Sequence, residues 1–91
     1  MTTRYSYQHL VALVGGDHEL IARLVEEGEI TRRDDEGDIA LVDLYRVLIA
    51  RTLVRDLEID WAGVDVILRL LAELAAARRR IAELEAGASP R

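Results

Sequence analysis

The first apolar positions of the chain recur at the spacing of helices. Ser6 and Asp17 can each cap a helix, because a side-chain oxygen at that position accepts a backbone N–H of the first turn. Gly15, Gly16 and Gly28 can end the two helices that follow. The apolar positions are Leu10, Leu13 and Val14 in the first segment and Ile21, Leu24 and Val25 in the second. Two short helices joined by a glycine-containing turn predict a helix-turn-helix, which is also a common packing motif without any DNA contact.

Between residues 29 and 41 the helical pattern gives way to two short runs around a polar turn. The runs cover 29–32 and 38–41, and residues 33–37 between them are arginine, three acids and glycine. This pattern is typical of a β-hairpin and predicts a wing. Asp43 is the candidate cap of a third helix that ends near Leu57, with Arg55 where a cation suits the helix dipole. Its apolar positions are Leu44, Val47, Leu48, Leu53, Val54 and Leu57.

The longest helical pattern follows Asp60, a candidate cap, and continues from Trp61 to about Glu85. Six apolar positions alternate in spacings of three and four residues, which is a heptad seam: Ile67, Leu70, Leu74, Ala77, Ile81 and Leu84. A second stripe on the neighbouring face suits packing against the third helix: Val64, Leu68, Leu71 and Ala75. So small a domain can cover only one face, so the seam predicts a homodimer. The alternative is an amphipathic helix without a partner.

These elements predict a mainly α fold, namely a winged helix-turn-helix with a small β-hairpin wing and a long C-terminal dimerisation helix. The expected boundaries are 1–57 for the winged helix-turn-helix-like domain, 58–86 for the helix that packs and dimerises, and 87–91 for a disordered tail. A chain of 91 residues suffices for one such domain with a modest core. We expect a cytoplasmic protein, because no apolar run has the length of a membrane span and the first residues lack a signal-peptide pattern.

Charge is distributed unevenly along the chain. The net charge is −5, and all twelve basic residues are arginine. Residues 17–41 contain nine acids and only three arginines, Arg23, Arg32 and Arg33. A domain that reads DNA normally concentrates positive charge on the element that enters the groove, so this region argues against DNA as the partner. Three consecutive arginines, Arg78 to Arg80, have glutamates within two helical turns and predict a solvated, partly paired face.

Residues for catalysis or metal binding are not arranged in any recognisable motif. The two histidines, His9 and His18, have no second ligand at a recurrent metal spacing. The chain has no cysteine, and Gly15-Gly16 lacks the remainder of a phosphate-binding loop. We therefore expect no metal, no cofactor and no enzymatic activity.

The order helix-turn-helix, wing, third helix and long helix resembles the MerR family of bacterial regulators. Tyr5-Ser6-Tyr7 resembles the family's opening segment, the EEGEI sequence at residues 26–30 its entry to the wing, and the DLYRV sequence at residues 43–47 its next helix. The positions at which the family contacts DNA differ. Ala22, Arg23 and Leu24 stand where relatives have an arginine and tyrosines, and Ile39 and Leu41 where they have an arginine and a tyrosine. A helix-turn-helix without these contacts is expected to have another task.

The segment from Leu57 to Val64 is similar to the Leu-x-Leu-Asp-Trp-x-Gly-Ile segment of the CbpM-like chaperone-modulator family. The matching motif residues are Leu57, Asp60, Trp61, Gly63 and Val64. The resemblance implies a non-catalytic homodimer that binds the J-domain of a CbpA/DnaJ-type co-chaperone and inhibits its action with DnaK. An acidic surface suits the basic helix that a J-domain presents to DnaK, and the candidate partner-binding residues are Asp17, Glu19, Arg23, Glu26 and Glu27.

Structural roles remain open for the motif residues. Asp60 can simply cap the long helix, Trp61 can lock the preceding turn, and Gly63 can permit close packing. Two other functions also remain open for the whole chain, a MerR-like transcription regulator that binds DNA as a dimer and a purely structural dimerisation module.

Overall fold

The computed structural model describes residues 2–88, apart from the side chain of Glu36. The fold is mainly helical, with a small antiparallel sheet and a long C-terminal helix, which confirms the predicted fold class. Backbone contacts divide the chain into two compact units, Met1–Glu58 and Ile59–Arg91. The assignment of the ranges 1–57 and 58–86 to separate functional domains stays a prediction.

The helix-turn-helix consists of α1 (Tyr7–Leu13) and α2 (His18–Glu26). The hydroxyl of Ser6 accepts a hydrogen bond from the His9 N–H at 3.1 Å, and the carboxylate of Asp17 accepts one from the Leu20 N–H at the same distance. Gly15 and Gly16 lie between the helices with φ of 71° and 82°. A residue with a side chain adopts that left-handed conformation only at a cost, so these glycines make the tight turn possible. Both predicted caps and the predicted turn are confirmed.

The sheet has three strands in the order β1-β3-β2, where β1 is Thr3–Ser6, β2 is Ile30–Arg33 and β3 is Ile39–Val42. The hairpin of β2 and β3 is the predicted wing, displaced by one residue from the predicted ranges 29–32 and 38–41. The sequence analysis missed β1, which pairs antiparallel with β3 so that Thr3 lies opposite Val42. A polar four-residue strand has no alternation of apolar residues, and its partner strand lies more than thirty positions away along the chain.

The third helix is shorter than predicted. After the Asp43 cap, α3 covers Leu44–Arg51, and the chain continues as a π-helical turn over Thr52–Asp56. In that turn the N–H of Leu57 donates to the carbonyl of Thr52 at 3.1 Å, five residues back rather than four. The prediction of one continuous α-helix to Leu57 is therefore wrong in its last turn. Leu57 itself is 60% exposed and is no part of the core.

The core of the first unit is supplied by every helix and by two strands. Its largest fully buried side chains are Leu10, Val14, Leu20, Ile21, Leu24, Ile30, Val42 and Val47. Three residues of the predicted stripes are instead exposed, namely Leu13, Leu48 and Leu57, whereas Val11 and Leu20 are buried without having been predicted. Each helix thus contributes a narrower buried stripe than its apolar residues suggest.

The second unit contains α4, Trp61–Ala88. The carboxylate of Asp60 accepts a hydrogen bond from the Gly63 N–H at 2.8 Å, which confirms Asp60 as the cap. A Cβ on Gly63 would lie 2.7 Å from Cγ2 of Ile59, so the predicted close packing at this glycine is also confirmed. Val64 and Leu68 of the predicted second stripe are buried, whereas Leu71 is half-buried and Ala75 is exposed.

The predicted disordered tail, 87–91, overlaps the observed helix. Gly87 and Ala88 belong to α4, and residues 89–91 lie outside the described residues. A glycine near the end of a helix costs only about 1 kcal/mol relative to alanine, which a helix of this length tolerates.

Candidate partner-binding surface

Four of the five candidate partner-binding residues lie on one face of α2 and its C-cap, Glu27. Leu20, Ile21 and Leu24 bury the opposite face. Helical spacing then places Glu19, Arg23, Glu26 and Glu27 on the outer side, where only Arg23 is half-buried and the glutamates are exposed. We call these four residues the α2 outer face. Its formal charge is −2, because three glutamates accompany one arginine.

The cation of the α2 outer face is already used within it. A guanidinium nitrogen of Arg23 lies 3.0 Å from the carboxylate of Glu27, four residues later on the same helix. Neither Glu19 nor Glu26 lies within ion-pair distance of a cation among the side chains that the structure describes. These two glutamates lie seven residues apart, which is about two helical turns, so their carboxylates project in the same direction.

Asp17, the fifth candidate, has two structural roles. Its carboxylate caps α2 and also accepts hydrogen bonds from two nitrogens of Arg55, at 2.5 and 2.8 Å. The Arg55 guanidinium holds the pKa of Asp17 below its ordinary value, with the Leu20 N–H adding to this and partial burial opposing it. The hydrogen bond and charge of Asp17 raise the pKa of Arg55, and the charge of Glu19 adds to this from a longer distance. The Asp17 side chain is only 18% exposed. A partner that takes Asp17 therefore has to compete with Arg55.

A second bidentate pair connects the start of the wing to α3. Arg46 donates to both carboxylate oxygens of Glu29, at 2.8 and 2.9 Å, and each side chain is 22% exposed. The hydrogen bonds that Arg46 donates to the Glu29 carboxylate raise the pKa of Arg46, against the effect of burial. The sequence analysis missed this pair because its members are 17 residues apart, and no local pattern connects them.

The arginines of the wing bind the acids of the wing. Arg32 donates to Asp38 at 2.7 Å and lies 3.2 Å from Asp34, while its guanidinium carbon sits 4.2 Å from the centre of the Tyr7 ring. The hydrogen bond to Asp38 raises the pKa of Arg32. Arg33 pairs with Asp35 at 3.3 Å. Both cations that could have contacted a phosphate backbone are thus neutralised by neighbours.

The positions that correspond to DNA contacts in MerR regulators are apolar in this chain, with the exception of Arg23. Leu24 is buried, Ile39 and Leu41 are half-buried on strand β3, and Ala22 is exposed but apolar. Arg23 is the one cation among them, and it pairs with Glu27. A DNA backbone next to this surface would meet the unpaired carboxylates of Glu19 and Glu26.

The predicted dimerisation seam on α4 is exposed to solvent within one chain. Leu70, Leu74, Ile81 and Leu84 are between 45% and 57% exposed, Ala77 is exposed, and Ile67 is half-buried. Four large aliphatic side chains in a row along one helix form an apolar strip of the kind that marks an association site. The seam's role in dimerisation stays a prediction.

The motif residues of the segment from Leu57 to Val64 have separate environments. Leu57 is exposed, Asp60 caps α4, Trp61 is half-buried at the first helical position, and Val64 is fully buried. Gly63 has no room for a side chain. Structural requirements therefore account for Asp60, Gly63 and Val64, whereas Leu57 is exposed and Trp61 is half-buried.

Within residues 2–88, the side chain of Glu36 apart, no three residues of the His, Cys, Asp and Glu types are grouped so that they could hold a metal ion. Over the same residues, no helix combines the length and the apolar character that crossing a membrane requires.

A family model described as "MerR HTH family regulatory protein" matches residues 5–86. No curated protein matches the chain, and no solved structure does. The match includes the helix-turn-helix, the wing hairpin, α3 and almost all of α4. On this evidence, the chain belongs to the MerR HTH family of regulatory proteins.

Proposed function

We propose that this family member is a non-catalytic, cytoplasmic modulator that binds the J-domain of a CbpA/DnaJ-type co-chaperone and inhibits its action with DnaK. The observation that carries the proposal is the charge of the α2 outer face. At the helix that reads DNA in related regulators, this chain presents the unpaired carboxylates of Glu19 and Glu26. Such a surface attracts a cationic protein helix and repels a phosphate backbone.

The pairing of the arginines supports the same choice of partner. Arg23, Arg32 and Arg33 are the cations of the helix-turn-helix and wing, and each is bound to an acid within six residues of it. A DNA complex would have to break these pairs before it gained any phosphate contact. A basic partner would leave them intact and bind the remaining carboxylates.

The resemblance of the segment from Leu57 to Val64 supports a J-domain as the partner. In the CbpM-like family this segment accompanies J-domain binding, and J-domains present a basic helix to DnaK. If the α2 outer face covers that basic helix, DnaK and the modulator compete for the same surface of the co-chaperone, and inhibition follows without any catalytic step.

The homodimer is the second part of the proposal. Four large aliphatic side chains of the seam are exposed in one chain, and a second copy of α4 is the simplest partner with a matching strip. Glu73 and Arg80 flank the seam on one side, and Arg78 and Glu85 flank it on the other. Both signs are present along both edges, which is compatible with self-pairing.

Calorimetric titration of the full chain with a purified J-domain at low salt tests the proposal. We expect one J-domain to bind per protomer. The double charge reversal Glu19→Arg with Glu26→Arg should weaken binding by at least about tenfold, since it replaces two attractive contacts by repulsive ones. A wild-type chain that shows no binding at low salt would refute the proposal.

The matched control is Asp65→Arg with Glu83→Arg. This variant makes the same change in net charge on exposed residues of α4 that lie outside the seam. It should leave J-domain affinity nearly unchanged. An equal loss in both variants would show that only the net charge matters and would remove the α2 outer face from the proposal.

DNA binding is the second candidate function, and the family match favours it, because the matched residues include a complete helix-turn-helix and wing. A gel mobility-shift assay with DNA from upstream of the gene, at about 50 mM salt, distinguishes the two functions. Phosphate-mediated binding is stronger there by orders of magnitude than at high salt. Salt-sensitive retardation would favour the regulator, and its absence would favour the modulator.

A further inference from the structure

The C-terminal end of the first unit, residues 52–58, contains two uncommon backbone conformations. Thr52–Asp56 forms the π-helical turn, in which the Leu57 N–H donates to the carbonyl of Thr52 at 3.1 Å. Glu58 follows with φ of 52°, the left-handed region that residues with a side chain seldom occupy. Both are less stable locally than an α-helical continuation, so the surrounding structure has to hold them.

The local sequence does not require either conformation. Residues 52–57 are TLVRDL, without glycine or proline, and could continue α3 as an ordinary α-helix. A π-turn accommodates one more residue than an α-turn, so its conversion to α-helix would rotate the end of the helix by about 100°. A contact made by the end of this segment to another element can therefore select between the two windings.

Arg55 makes such a contact. It lies inside the π-turn, and two of its nitrogens donate to the carboxylate of Asp17, 38 residues earlier, at 2.5 and 2.8 Å. A guanidinium and a carboxylate form two parallel hydrogen bonds only in a narrow range of orientations. Asp17 is fixed by its own role as the cap of α2. A rotation of the helix end toward α-helical winding would withdraw Arg55 from this fixed acceptor.

We infer that the Asp17–Arg55 ion pair is a latch, meaning that it holds residues 52–56 as a π-turn and Glu58 in the left-handed conformation. We infer further that a cation of a basic partner releases this latch by binding the Asp17 carboxylate in place of Arg55. The release of the latch rests on the proposed function. A guanidinium or ammonium group on the partner would replace Arg55 at Asp17, and residues 52–58 would then relax toward α-helix. Partner binding at the start of α2 would thereby change the conformation of the segment that leads out of the first unit.

The latch is tested by solution NMR on the full chain with Asp17→Asn and Arg55→Gln. Asparagine still caps α2, so Asp17→Asn removes the ion pair and keeps the helix start. In both variants we expect loss of the scalar coupling between the Leu57 N–H and the Thr52 carbonyl, and a change of the Glu58 coupling constant from left-handed to helical φ. Amide exchange at Leu57 should be faster by about tenfold or more.

Arg69→Gln is the matched control, because it removes an exposed arginine–aspartate pair of the same kind at 2.7 Å on α4. Residues 52–58 should keep their wild-type spectra in this variant. Arg55→Lys is a second informative change, since it retains the charge and loses the two parallel hydrogen bonds; an intermediate exchange rate at Leu57 is expected. Retention of the Leu57–Thr52 coupling and of left-handed Glu58 in both Asp17→Asn and Arg55→Gln would overturn the latch.

Titration of labelled wild-type chain with unlabelled J-domain tests the release of the latch. Release predicts that the signals of Leu57 and Glu58 move toward their positions in Arg55→Gln. If the J-domain binds and these signals stay at their free positions, the claim that binding releases the latch is refuted. The existence of the latch is tested separately by the variants Asp17→Asn and Arg55→Gln. Failure of the J-domain to bind at all would refute the proposed function and the release together, whereas the latch would be judged on the variants alone.

Discussion

The two units of the chain use the same sequence signal, apolar residues at helical spacing, in opposite ways. In the first unit half of the twelve apolar positions predicted for the helices are buried, and ion pairs between separate elements, Glu29–Arg46 and Asp17–Arg55, join segments that are distant in sequence. In α4 only Val64 and Leu68 are buried, and the ion pairs are local, within one helical turn. Apolar periodicity therefore predicts a face that needs covering, and whether the same chain covers it depends on the rest of the fold.

The largest effect is expected from a core residue of the first unit. Leu24→Ala removes a side chain that is only 1% exposed, which should lower the free energy of unfolding by about 2–5 kcal/mol. Urea denaturation followed by circular dichroism measures the change. The loss should be the same at low and high protein concentration, because Leu24 is covered by its own chain. A loss of unfolding free energy that varies with protein concentration would contradict the claim that the first unit covers its apolar residues within one chain.

A smaller effect, dependent on concentration, is expected from the seam. Leu74→Glu places a charge in the middle of the predicted dimer interface and should weaken association by about 3 kcal/mol, or more than a hundredfold in Kd. Light scattering across a dilution series measures the mass. Ala76→Glu adds the same charge at an exposed position outside the seam and should retain the wild-type mass. Equal masses for both variants at every concentration would refute the seam.

Next in size is the half-buried ion pair of the first unit. Arg46→Met leaves the carboxylate of Glu29 without its two donors and should cost about 1–3 kcal/mol in unfolding free energy. Arg69→Met breaks an exposed pair on α4 and should cost less than about 0.5 kcal/mol. Chemical denaturation of both variants checks this ranking. A reversed order would mean that the cross-element pair contributes no more than a local one.

The smallest effect concerns pH and the Asp17–Arg55 pair. Because the hydrogen bonds from Arg55 lower the pKa of Asp17 in the folded chain, this group stabilises the fold above its unfolded pKa of about 3.8. That contribution is lost as the pH falls from 3.8 through the lower, folded pKa. The difference in unfolding free energy between wild type and Asp17→Asn should be constant above pH 5 and shrink below pH 4. A difference that grows on acidification would contradict the assigned direction.

Features that depend on residues close together in sequence were predictable, and these features account for much of the fold. Ser6, Asp17, Asp43 and Asp60 all cap helices, because an N-cap depends on one side chain and a backbone N–H two or three residues later. The glycine-containing turn and the wing hairpin are similarly short-range. On the α2 outer face, spacing alone brought Glu19 and Glu26 to one side.

Features that depend on distant residues were not predictable. Strand β1 exists because β3 lies beside it, and its own sequence carries no strand signal. The sequence of the π-turn has the pattern of an α-helix. Arg55 was predicted to interact with the helix dipole, because its partner, Asp17, is 38 residues away in sequence. The same limit explains why Asp17 was predicted to face a partner, since the ion pair that occupies it is visible only in three dimensions.

Gly63 has a practical consequence for protein engineering. Replacing a glycine within a helix by alanine is a standard route to a more thermostable protein, because alanine restricts the unfolded chain and favours the helix by up to about 1 kcal/mol. Here the added methyl would lie 2.7 Å from Cγ2 of Ile59, so that side chain would have to move. The substitution is acceptable only together with a smaller residue at position 59. Stabilising substitutions in this chain should therefore retain Gly63 and be placed at solvent-facing positions of α4 instead.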